Sequence, residues 1–222
     1  MPARALKSAP AITNCTIVGN WAEEGGGIYS HDSLSTITNC TIKGNGANFG
    51  GGIYNRSSRG AVASCIISNN TGRYYGGGIY NEYRWPAMAN CTFSANSAWH
   101  GGGIYDYHCG PSINNCSFWD NQAGESGGGI HDWASSPTII NCTISGNMIS
   151  YVWGHGGGIH TWGVSPVITN CIIWGNPPDD LIGYGATYSD IGSGETSGVG
   201  NISADPQFVD TEAGDFHPRM KR

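Results

Sequence analysis

The sequence predicts an all-β fold, a right-handed parallel β-helix of about six coils with three short strands in each. Three observations carry the prediction. Seven cysteines (Cys15, Cys40, Cys65, Cys91, Cys116, Cys142 and Cys171) recur about every 25 residues. Five residues after each stands an asparagine: Asn20, Asn45, Asn70, Asn96, Asn121, Asn147 and Asn176. Six glycine triplets, the first Gly25–Gly27 and the last Gly156–Gly158, are each followed by isoleucine. A strict period of this length marks a stack of identical units and not a globular α/β domain.

The strands follow from parity. Cys and the apolar residue two positions on (Ile17, Ile42, Ile67, Phe93, Phe118, Ile144, Ile173) share one strand face. The apolar residue three positions before Cys has opposite parity, so the chain must bend between them. The residue before Cys is Asn in six repeats and Ser64 in the seventh, and Asn tolerates the left-handed conformation of a sharp bend. The predicted strands are Gly-Gly-Gly-Ile-x, x-Ile-x-Asn and Cys-x-Ile. From each triplet to the next Cys the spacing is constant, so insertions are confined to the arc between Asn and the glycines, which reads as a loop. Ladders of Ile, Cys and Ile/Phe would fill the interior, with Ala22, Ala47, Ala98 and Ala123.

The phrases Ile17–Asn20, Phe93–Asn96 and Phe118–Asn121, followed by Gly-Gly-Gly-Ile, resemble the repeat of the polymorphic outer-membrane proteins, which pairs FxxN with GGA[ILV]. More broadly, the chain is similar to the pectate-lyase-like superfamily. The resemblance covers residues 10–176 and departs from the family in having Gly where Ala is usual. It implies a right-handed parallel β-helix and secretion or surface display. The superfamily includes lyases, glycoside hydrolases, adhesins and structural solenoids, so fold alone does not choose among them.

Residues 1–9 read as an irregular N-terminal segment and 10–176 as the repeats. Residues 177–222 read as a non-repeat segment, with a strand around Ala186–Ile191 and with Phe208 and Phe216 covering the last coil. Met1 to Pro10 lacks the apolar core of a signal peptide, and the first coil opens mid-repeat, so the natural N-terminus is expected upstream. The abrupt end after Met220 likewise reads as a truncation. Net charge is −6 with no basic run, which argues against nucleic acid, and no apolar stretch reaches transmembrane length. Open coil edges make end-to-end self-association an expected mode of contact.

The ladder cysteines read as buried free thiols, with Cys109, off the ladder in a turn, as the exposed one. The Asn-Cys-Thr triplets match glycosylation sequons but are assigned to an internal turn ladder. For function, the column Tyr29, Tyr54, Tyr80, Tyr105, His131, His160 points outward by parity. With Trp133, Trp153 and Trp162 it forms an aromatic face suited to stacking on sugars. The expected role is a secreted or cell-surface glycan binder, with a polysaccharide or surface glycan as partner. The alternative is a glycoside hydrolase or lyase on coils four to six, its acid and base groups drawn from Asp106, His131, Asp132, His155 and His160. No HExxH-type spacing supports a metal, and no cofactor is expected.

Overall fold

The computed structural model describes residues 9–163, 165–194, 196–210 and the backbone of 215–218. It is built of short strands in four parallel sheets, A to D, that wind as a right-handed solenoid of about seven turns. Coil 4 shows the plan. Ala87–Ala89 lies in sheet A, Thr92–Ser94 in B, Ser97–His100 in C and Ile104–Tyr107 in D. Each pairs in parallel with its counterpart one coil before and one coil after. No helix among the described residues is long and apolar enough to cross a membrane.

Each of the first six coils therefore has four strands, not three. The fourth occupies the arc read as a loop. The extra residue in coils 3 and 5 is taken up inside that strand, in Thr71–Tyr75 and Gln122–Ser126, where the register shifts as a bulge. Stacking also runs past residue 176. Leu181–Ile182 extends sheet D and Asp190–Ile191 extends sheet B. Beyond it Phe208–Asp210 pairs antiparallel with Asp215–Pro218. The Phe216 side chain, and most of the N-terminal segment 1–9, lie outside the described residues.

Four bends separate four sheets, and one residue with positive φ makes each bend. In coil 4 these are Asn90 (55°), Ala95 (51°), Gly101 (65°) and His108 (48°). The pre-cysteine position is left-handed in all seven repeats, as its Asn content predicts. These Asn side chains are exposed on an outer corner, not stacked inside, which corrects the assignment of the sequons to an internal ladder.

The internal ladder is formed by the Asn five residues after Cys. Asn96 Nδ2 donates to Asn121 Oδ1 (2.9 Å) and to the Ile67 carbonyl (2.9 Å), while Asn96 N also donates to Asn121 Oδ1 (3.1 Å). The same bonds repeat coil after coil and end on Asp180, whose Oδ1 accepts from Asn176 Nδ2 at 2.7 Å. Every polar atom of these buried amides is thereby satisfied, which removes a cost of about 1–3 kcal/mol per orphaned group. Around it pack the Ile, Cys and Phe ladders, with Phe93 and Phe118 stacked at 4.6 Å.

All eight thiols are free, and Cys15 alone is exposed. Cys109 is buried, which overturns its reading as the exposed thiol. It follows the left-handed His108, so its side chain turns inward, where its sulfur lies 3.7 Å from the Asn81 carbonyl oxygen and 3.8 Å from Asp106 Oδ1. Burial pushes its pKa well above the ordinary thiol range. In the native protein a thiol reagent is expected to titrate one cysteine, Cys15, and all eight only after denaturation. Labelling of Cys109 in the folded chain, read by peptide mass, would contradict this packing.

Candidate functional site at the corner of sheets C and D

The glycine triplet shapes the outer surface. At Gly101 a Cβ would sit 2.4 Å from the Ile104 carbonyl oxygen and 2.8 Å from Tyr105 Cβ, so only glycine can turn so tightly. The bend folds the outer faces of sheets C and D toward each other. Two ring columns meet there: Phe49, Tyr75 and His100 from sheet C, and Tyr29, Tyr54, Tyr80, Tyr105, His131 and His160 from sheet D. Tyr75 lies 4.5 Å from Tyr105, Tyr54 lies 4.7 Å from Tyr80, and His100 lies 5.4 Å from His131.

Parity correctly placed the sheet D column outside the barrel wall, but outside is not exposed. Tyr54, Tyr80, Tyr105 and His131 are buried against the opposing column and one another. They form a second apolar core and offer no face to a ligand. Of the expected aromatic ligand groups, Tyr29, Trp133, Trp153 and Trp162 remain exposed. Trp133 and Trp162 stack in parallel, 5.7 Å apart with planes 6° from each other. Trp153 sits on the Ser150–Gly154 excursion, the longest insertion. This segment is anchored by Tyr151 N donating to the Gly124 carbonyl (2.8 Å) and by Tyr151 lying 6.2 Å from Trp99.

Asp106 and Asp132 share parity with Ile104 and Ile130, and both point into the barrel, fully buried. They continue an internal polar column in which Asn55 Nδ2 donates to Asn81 Oδ1 and Asn81 Nδ2 to Asp106 Oδ1 (2.9 and 2.8 Å). The two carboxyls are neighbours in register, and Asp106 Oδ2 and both Asp132 oxygens lack any other partner. Burial pushes Asp106 up to about 6 and Asp132 well above the usual carboxylate range, so Asp132 is the protonated member and shares its proton with Asp106. Neither reaches the corner surface. A carboxyl inside the wall is not placed to meet a glycosidic oxygen at the corner.

The histidines do converge. His100, His131 and His160 run in a row, with 4.9 Å between the last two rings, and exposed His155 lies beside Asp179 (Nδ1 to Oδ2, 4.0 Å). Burial lowers the pKa of all three ring-column histidines, His160 to about 4, so they are neutral at physiological pH. Ser126 Oγ sits 2.7 Å from the Nδ1 atoms of both His100 and His131. Glu125 accepts from the Trp99 indole N–H (3.0 Å) and faces His100 Nε2 at 3.9 Å. Ser126, Glu125 and Asp179 were not picked out from sequence. Ser126 carries no motif and reaches the histidines only because the bulged strand is one residue longer.

No curated protein and no solved structure matches the chain. A family model described as right handed beta helix region matches residues 5–144 and 79–196, nearly the whole solenoid. With its parallel four-sheet coil, the chain belongs to the right-handed β-helix family.

Proposed function

We propose that the protein is a secreted or cell-surface solenoid that binds glycan at the C–D corner of coils 4 to 6. The Trp133–Trp162 pair carries this reading. Two large rings lie parallel and exposed along the solenoid axis. Their exposed apolar surface supplies the platform on which a sugar ring stacks, with His160 in the ring row beside Trp162 (6.4 Å) and His155 available for polar contacts. With both aspartates enclosed in the wall, the arrangement favours binding over cleavage.

The test is a glycan screen with the wild type and with Trp133→Ala and Trp162→Ala. Binding by the wild type should fall at least tenfold in each variant while the far-UV spectrum stays unchanged, and no polymer should yield new reducing ends. Equal affinity in the variants would remove the corner from the reading, and reducing ends lost in Asp132→Asn would restore the enzyme.

A further inference from the structure

The charge on this chain is unevenly placed. Residues 1–84 hold seven Lys/Arg against four Asp/Glu, whereas residues 85–222 hold three against twelve. No lysine or arginine lies between Arg84 and Arg219. The candidate corner on coils 4 to 6 is therefore built with no permanent cation from its own strands, beside Glu125 and Asp179.

The hydrogen-bond polarity of the corner points the same way. Glu125 Oε2, 3.9 Å from His100 Nε2, is beyond hydrogen-bond length but favours an N–H on that nitrogen. His100 Nδ1 is then an acceptor and takes the Ser126 hydroxyl proton. A hydroxyl has one proton to give, so Ser126 Oγ must accept from His131 Nδ1–H. This network leaves His131 Nε2 as a bare lone pair, and that atom is buried with no partner. His160 Nδ1, in the ring beside it, is buried and unpartnered as well. Both atoms are enclosed, so a ligand at the rim does not reach them; what the neutral row withholds from that ligand is an imidazolium to oppose an anion.

Resting on the glycan reading above, we infer that this corner takes an uncharged polysaccharide and discriminates against uronate-bearing and sulfated chains. A polyanion laid along coils 4 to 6 would meet Glu125 and Asp179 without an opposing guanidinium or ammonium. An uncharged chain avoids that cost and keeps its contacts with Trp133 and Trp162.

The probes are hexasaccharides of β-1,4-glucan, β-1,4-mannan and β-1,4-xylan as the uncharged set, hexagalacturonate as the anion and chitosan hexaose as the cation. Binding is read by tryptophan fluorescence and calorimetry at low salt and at 0.5 M salt. At least one uncharged hexamer is expected to bind with an affinity that salt changes by less than twofold, and at least tenfold more tightly than hexagalacturonate. Asp179→Lys should narrow that gap. Hexagalacturonate binding as tightly as the best uncharged hexamer, with both lost in Trp162→Ala, would overturn the inference and leave the glycan reading standing. Tightest binding of chitosan, weakening with salt, would also overturn it, replacing an uncharged ligand by a cationic one. Failure of every hexamer to bind would remove the glycan reading itself.

Discussion

Gly102→Ala is expected to abolish cooperative folding, while Gly146→Ala, in the adjoining coils, costs about 1 kcal/mol. The two glycines differ in what a methyl group would meet. A Cβ on Gly102 would lie 2.5 Å from two carbonyl oxygens of coil 5, those of Gln122 and Gly128. Both belong to the stacked backbone and cannot swing aside. Ordinary contact would require coils 4 and 5 to part by about 1 Å there. The bonds that cross this junction are short: Gly101 N to the Ser126 carbonyl at 2.9 Å, Gly103 N to Gly128 at 3.0 Å and Ile104 N to Gly129 at 2.9 Å. In a solenoid each coil is stabilised only by its neighbours, so a breach at one junction divides the array. Gly146 instead makes a B-to-C corner, with φ of +67° and nothing within 4 Å of its Cβ position. Other coils place Asn69, Ala95 and Asp120 at the same corner, so alanine brings only the left-handed strain, about 1 kcal/mol. Urea unfolding followed by tryptophan fluorescence distinguishes the two. A single wild-type-like transition for Gly102→Ala would show that the triplet is not a steric requirement.

What sequence reveals about this fold follows from the same contrast. The coil period, the inward Cys and Ile ladders and the left-handed residue before each ladder Cys, Asn in six repeats and Ser64 in one, were legible, because a stacked backbone forces them to recur at one spacing. Ser97–His100 was not legible as a strand, since bulges in its neighbours at Thr71–Tyr75 and Gln122–Ser126 vary the count and imitate a loop. The site was legible in part. Parity gave the side of the wall correctly for Tyr80 and Tyr105, but their burial depends on curvature, and curvature is fixed by what a Cβ would strike at Gly76 and Gly101. The same parity places Asp106 and Asp132 beside Ile104 and Ile130, within the wall. Their identity as acids drew attention to chemistry that their direction does not allow. The Ser126 link between His100 and His131 is a contact across the corner, and neither spacing nor residue type announces it.

Asp132→Asn is expected to stabilise the protein at pH 8, with a gain that shrinks toward pH 4. Both carboxyls of the buried pair hold protons more tightly in the folded chain than in the unfolded one, Asp106 up to about 6 and Asp132 further, chiefly through burial. Where the folded state binds more protons, stability falls as pH rises. The loss begins near 3.8, the ordinary Asp value, and continues through about 6 and beyond. The buried histidines act in the opposite sense. Held neutral, they bind fewer protons folded than unfolded, so their penalty appears as pH falls below 6.5, extending to about 4 for His160, and is absent at pH 8. Asn at position 132 removes the carboxyl that has no partner besides Asp106. Its amide can donate to Asp106 Oδ2, carrying on the side-chain ladder already made by Asn55 and Asn81. Asp106 keeps its bond from Asn81 and gains a neutral donor in place of a competing acid. The readout is thermal unfolding of wild type, Asp132→Asn and the exposed control Asp120→Asn from pH 4 to 8. A rise of several degrees at pH 8 confined to Asp132→Asn is expected. An equal midpoint for wild type and Asp132→Asn at pH 8, or a difference that does not vary with pH, would mean that the pair does not share a proton inside the solenoid.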